Sequence, residues 1–150
     1  LGDPATAAQA ATDVLRDGGD TATEVNAERV RPEFTAFGQT EWAVADQAVF
    51  GANLPCIDGG GAVLEPMSAI AADQRYGLGT IDGARYKGGW GPDESGRYLV
   101  REFGVLPTDD GHVGVAVAVR PGDGTYATGQ AMLGELAAAI HRHLPAGGPC

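Results

Sequence analysis

The chain has 150 residues, 43% of them hydrophobic, and a formal net charge of −10: material for one domain with its own core, and too apolar for a disordered chain. The acidic balance argues against nucleic acid and anionic membrane surfaces as partners, because both require basic patches. No apolar run approaches the ~20 residues of a membrane span, and the opening Leu1-Gly2-Asp3-Pro4 is not that of a signal peptide, though a mature or truncated chain would begin the same way.

Asp3-Pro4 is a helix start, with Asp as N-cap and Pro at the first helical position. Ala7, Ala8, Ala11, Val14 and Leu15 follow at helical spacing, and Gly18-Gly19 stops the helix. Residues 20–38 have mixed polarity, include Pro32 and show no period, so a long irregular excursion is expected there; loops of that length are often functional. A second helix is expected from a cap at Thr40, with Trp42, Ala45, Val49 and Ala52 as its apolar stripe and an end near Asn53-Leu54-Pro55. After the glycine-rich stretch Ile57 to Gly61, a third helix is expected over roughly Glu65 to Arg75, with Met67, Ile70 and Ala71 turned inward. Gly77-Leu78-Gly79 ends it.

The period then changes. Arg85 to Gly89 reads as a short strand, Gly91 to Gly96 as turn chemistry, Arg97 to Leu106 as a second strand and Pro107 to Gly111 as another turn. In His112 to Arg120, Val113, Val115, Val117 and Val119 alternate with Gly and Ala, so a third strand covered on both faces is expected. Pro121-Gly122-Asp123-Gly124 closes this meander. A last helix over about Thr128 to Leu144 carries Met132, Leu133, Leu136, Ile140 and Leu144 on one side. The expected fold class is α+β: residues 1–76 mostly helical, residues 77–150 an antiparallel meander of three strands plus a C-terminal helix, with no internal repeat. Such a sheet with one covering helix is an incomplete layer, so a further segment or a partner is expected to complete it.

The chemistry on offer is narrow. Lys87 is the only lysine, and it stands in Tyr86-Lys87-Gly88-Gly89-Trp90-Gly91. Glycines let a backbone or ligand approach closely, so the stretch reads either as a strand edge that holds an anionic group or as a solvated lysine before a glycine-rich turn. Ser68 and Ser95 are the only serines, and neither has a Lys three residues on or a GxSxG setting. His141 and His143 point to different sides of a helix and suit its C-terminal dipole better than a metal. No catalytic residue, metal site or cofactor is assigned. Cys56 and Cys150 are the only cysteines; a disulfide in an exported chain, free thiols and bonds to another chain all remain open.

The segment from Tyr86 to Leu144 resembles the C-terminal half of class A β-lactamases and related penicillin-recognising serine hydrolases: Lys87-Gly88-Gly89 falls where that family has Lys-(Thr/Ser)-Gly on a strand, followed by two antiparallel strands and a helix. Upstream, Asp3-Pro4 through Asp20-Thr21 resembles the helix before the omega loop, Arg31-Pro32-Glu33-Phe34 and Gly38-Gln39-Thr40 the omega loop and its exit, and Gln74 to Gly79 the turn into the lysine strand. The resemblance implies the C-terminal part of an exported, secreted or lipoprotein-type serine hydrolase fold, located in the cell wall or otherwise outside the cytoplasm. It implies a ligand edge made by Lys87, Gly88, Gly89, Trp90 and Arg97, with Trp90 supplying an oxyanion amide and Arg97 a carboxylate contact. Its ligands would be β-lactams or peptidoglycan-like D-Ala-D-Ala peptides. The departures are informative. The family's Ser-x-x-Lys and Ser-Asp-Asn motifs precede the matched region, the triplet's hydroxyl residue is Gly88, and Arg31 falls where a deacylating Glu is expected, with Glu28 and Glu33 nearby. These imply a catalytically degenerate fold. The competing expectations are an active acyl-serine hydrolase whose nucleophile lies on a separate N-terminal segment, and a non-enzymatic cell-envelope interaction module. A homodimer covering the exposed sheet edges is also expected.

Overall fold

The computed structural model describes residues 2–31 and 38–150. Helix α1 spans Pro4–Asp17 and begins as its sequence requires: Asp3 accepts from the amides of Ala5 and Thr6 at 3.0 and 3.2 Å. Its buried face is Ala8, Thr12 and Leu15, while Val14 lies outside. Residues 20–31 carry no regular element, yet side chains take up their backbone groups. Thr12 accepts from Val25 N at 3.0 Å, Thr40 from Asn26 N at 3.0 Å and Gln39 from Arg31 N at 2.8 Å. Buried Asp20 accepts from the amides of Ala22 and Thr23. Burial opposes its charge, but those bonds and the Thr23 hydroxyl outweigh it and hold the carboxyl below its ordinary range.

Helix α2 spans Val44–Asn53, with Ala43 at its N-cap rather than Thr40. Its buried residues are Gln47, Phe50 and Gly51, not the expected stripe of Ala45, Val49 and Ala52. The reason is close backbone packing. A Cβ on Gly51 would come to 3.0 Å from Gly104 O, and one on Gly114 to 2.1 Å from Ala48 O. The small residues of the sheet thus admit the helix on its glycine face. Helix α3 spans Gly60–Met67, several residues earlier than the expected Glu65 to Arg75. The glycine-rich stretch starts it rather than preceding it, and it ends at Met67, one residue after Pro66, which has no amide hydrogen to give the helical ladder. Met67 is buried as expected; Ile70 and Ala71 follow the helix, and a 3-10 turn covers Ala72–Gln74.

The sheet has the order β1-β2-β3, with β1 at Arg85–Pro92, β2 at Tyr98–Thr108 and β3 at Gly111–Val119. Both pairings are antiparallel, with Gly89 opposite Arg101 and Gly104 opposite Val115. The first strand runs three residues further than expected, so the turn narrows to Asp93–Arg97, where Asp93 accepts from Ser95 N and Arg97 N. Helix α4 spans Tyr126–Arg142, capped by Thr125, whose hydroxyl accepts from Thr128 N at 3.2 Å. Leu133 and Ala137 are wholly buried, whereas Met132 and Leu136 face outward.

Two cores result, one on each side of the sheet. Val100, Leu106, Val117 and Val119 pack with Leu78, Tyr86 and Leu133 on the α4 side. Val105 packs with Leu15, Phe50, Leu54, Leu64 and Met67 on the side of α1, α2 and α3. The arrangement is therefore helix, sheet, helix, and β3 is covered on both faces, its valines turned to the α4 side and its glycine and alanines to α2. The tail is fastened twice. His112 and Gly148 exchange backbone hydrogen bonds of 3.1 Å each, and a disulfide joins Cys56 to Cys150. Among the described residues no helix is long and apolar enough to cross a membrane.

Candidate functional site

Alternation along β1 sends Lys87 and Gly89 to one side of the sheet and Gly88 and Trp90 to the other. Opposite Gly89, on β2, stands Arg101. Its stem lies across the glycine: a Cβ there would come to 3.5 Å from Arg101 Cγ. The Arg101 guanidinium is half-buried, and among the described residues it has no hydrogen-bond or ion-pair partner. Desolvation pulls its pKa below the ordinary arginine value. A desolvated, unpartnered guanidinium gains most from an anion arriving on its open side.

Lys87 is exposed; its ammonium donates to Gly88 O and stands 6.0 Å from the centroid of the Trp90 ring. With Arg101, Gly88, Gly89, Trp42, Gln47, Glu102 and Phe103 it borders a small recess of about 110 Å³. Next to it opens a cleft of about 500 Å³ whose floor is Gly89-Trp90-Gly91 and whose rim carries Arg31, Arg101 and Arg120, with Asp93 as the carboxylate among its lining residues. Arg31 also donates to Pro92 O at 3.2 Å, which ties the loop to the end of β1. Trp42 forms the back wall, fixed edge-on to Phe50 and Phe103 at 5.7 and 5.1 Å and accepting from Gln47 at its carbonyl. Basic side chains thus gather round a concavity in a protein of net charge −10, an arrangement that focuses an attractive field for an anion.

The expected site residues do not all meet. Lys87, Gly88 and Gly89 lie together at the β1 edge. Trp90 floors the cleft and at the same time stacks on Tyr126 of α4 at 5.3 Å. Arg97 is elsewhere: its guanidinium donates to Pro121 O and Gly122 O at 3.3 and 3.1 Å, clasping the hairpin turn to the loop after β3. The strand arginine at the cleft is Arg101. Its signal in the sequence was the register, because a hairpin closing on Asp93–Arg97 sets residue 89 against residue 101. Glu28 is exposed, its backbone N–H donating to Asn26 Oδ1 at 2.9 Å, and Glu33 lies outside the described residues. Ser68 donates to Glu65 O at 2.6 Å and Ser95 to Asp93 at 2.7 Å, so neither is hydrogen-bonded to a histidine or lysine.

A second residue was missed. Glu102 is 1% exposed in the middle of β2, on the α4 side. Its Oε2 accepts from Leu78 N at 2.7 Å, while Oε1 has no partner. Gly77 makes room for it: φ there is +53°, and a Cβ would lie 2.0 Å from Glu102 Oε2. Burial pushes the Glu102 carboxyl up to about 7, against the lowering effect of the Leu78 amide.

No protein-family model matches this chain, and no curated protein or solved structure matches it either.

Proposed function

We propose that this chain is the C-terminal part of an exported fold of the β-lactamase and penicillin-binding type, catalytically degenerate, whose β1 edge receives the carboxylate of an extended peptide-like ligand. The observation that carries this reading is the unpartnered, half-buried Arg101 facing a side-chain-free strand edge beside Lys87. The ligand backbone would pair with Gly89 to Gly91, its carboxylate would lie between Lys87 and Arg101, and Trp90 would wall the remainder. Penicillins and peptides ending in D-Ala-D-Ala have the required carboxylate beside an amide. The Cys56–Cys150 bridge is compatible with an exported location. Degeneracy follows from Gly88, which offers no hydroxyl, and from two serines that are both tied to local acceptors.

One observation favours the alternative of an acyl-serine hydrolase assembled with another segment. Past the Gly148 contact, the outer edge of β3 is uncharged and borders a shelf of about 470 Å³ lined by Val113, Val115, Ile140 and Leu144. A further strand there would complete the layer; a second copy of the chain would cover it equally well, and so would the partner of an interaction module. Intact mass before and after exposure to a reactive penicillin separates these readings. The degenerate reading expects the 15.3 kDa chain unmodified, with reversible binding seen by calorimetry. A penicilloyl adduct on a second, co-purifying chain supports the assembled hydrolase, and absence of both adduct and binding removes the carboxylate site.

A further inference from the structure

The disulfide does not stand alone. The sulfur atoms of Cys56 and Cys150 and a ring nitrogen of His112 all lie within 4.8 Å of one another. Both cysteines are exposed and the imidazole is half-buried. His112 Nε2 lies 2.9 Å from Ala52 O, and a carbonyl only accepts, so Nε2 carries the proton and the lone pair of the neutral ring is on Nδ1. A backbone carbonyl holding the far nitrogen is how metal-ligating histidines are commonly oriented.

We propose that two-electron reduction converts this bridge into a binding site for Zn²⁺ or a similar borderline-soft divalent cation, held by Cys56, Cys150 and His112 with a fourth position open to water. A dithiol gives two electrons and two protons to the bridge and closes to its own cyclic disulfide. That leaves two protein thiols, and the cation then displaces both thiol protons. Zn–S near 2.3 Å and Zn–N near 2.0 Å set ligand separations of roughly 3.5–3.8 Å in a tetrahedral site. The three ligand atoms are already gathered on that scale, and breaking the bond lets the sulfurs part. The tail does not depend on the disulfide for its place. The paired backbone bonds between His112 and Gly148 hold it, and Gly147 lies so close that a Cβ would be 2.1 Å from Thr108 Oγ1. Cys56 closes the 3-10 turn Leu54–Cys56, anchored by buried Leu54. Reduction therefore leaves all the ligands where the backbone puts them.

The test reduces the purified chain with a dithiol, removes the reagent without air and titrates with Co²⁺. The expected result is a folded chain by circular dichroism that takes up one equivalent. It should show thiolate-to-cobalt charge transfer in the near ultraviolet and the red absorption of tetrahedral cobalt, bleached by Zn²⁺. The oxidised chain should show neither. His112→Ala should weaken binding by about 10–100-fold or more, the scale on which even a supporting partner acts. If that variant does not fold, imidazole nitrogen NMR of the reduced wild-type chain decides, with the His112 Nδ1 signal expected to move on adding Zn²⁺. The proposal is overturned by unfolding on reduction, by absence of thiolate charge transfer, by equal uptake in the oxidised chain, or by a His112 signal that Zn²⁺ leaves in place.

Discussion

Arg101 and Lys87 are the residues on which the proposed ligand edge depends. Each would give a charge-assisted contact to a carboxylate, so Arg101→Ala or Lys87→Ala should weaken binding of a penicillin or an acyl-D-Ala-D-Ala peptide by about 10- to 100-fold, measured by calorimetry at low salt. Arg97→Ala should leave that affinity unchanged, because its guanidinium is committed to the Pro121 and Gly122 carbonyls. Gly88 is not required sterically. A Cβ there would meet Tyr76 Oη at 3.5 Å and Glu102 Cγ at 3.9 Å, which are ordinary contacts on the α4 side, so Gly88→Ser should fold normally and, with its hydroxyl turned away from Lys87 and Arg101, leave the affinity unchanged. Glu102 governs a different property. Its folded pKa is raised to about 7, above the ordinary value, so the native chain binds the proton more tightly than the unfolded one. The stability it confers is complete below about pH 4 and is lost as pH rises through about 7, by a total of the order of 3 kcal/mol. Glu102→Gln should flatten that dependence in denaturant titrations and make the variant the more stable protein at about pH 8.

At the scale of elements, the contact of α2 with β3 is the least tolerant of change. Gly114→Ala sets a methyl against the carbonyl of Ala48 and should cost about 1–3 kcal/mol in urea unfolding. This is also where sequence reasoning was least reliable. Apolar periodicity picked out Val49 and Ala52 for the buried stripe of α2, but the helix buries Gln47 and Gly51, because backbone proximity at glycines, not side-chain hydrophobicity, decides its rotation. Periodicity likewise misplaced α3, expected over roughly Glu65 to Arg75 and found at Gly60–Met67, because its first turn is written in glycines. The strands and α1 were legible because their signals are local: Asp3-Pro4 as a cap, alternating valines in β3, and turn residues between strands. Lys87 and its glycines were visible for the same reason. Arg101 was not, because its role depends on a pairing register set by a turn one residue shorter, and placed further along the chain, than the residue types suggested. Glu102 was hidden because a single glutamate in a strand reads as a solvent-facing residue until its neighbours are known.

For the whole molecule, two helical layers clamp a sheet whose outer strands differ in character. The β1 edge is lined by cations and open; the β3 edge is apolar and partly closed by the tail. The disulfide closes a span of 94 residues between α2 and the C-terminal tail, so replacing both cysteines with alanine should lower stability by about 2–4 kcal/mol, measured by denaturant titration under non-reducing conditions. Arg31, Lys87, Arg101 and Arg120 border the β1 cleft and its recess, a grouping of cations that supports the proposed anion site in a chain of charge −10. The most direct check is a backbone amide NMR titration of the isotopically labelled chain with benzylpenicillin and with acetyl-D-Ala-D-Ala. The account predicts saturable shifts concentrated at Lys87 to Gly91 and Arg101, reduced by salt and lost in Arg101→Ala. Spectra that do not change, or shifts confined to residues away from the β1 edge, would contradict it.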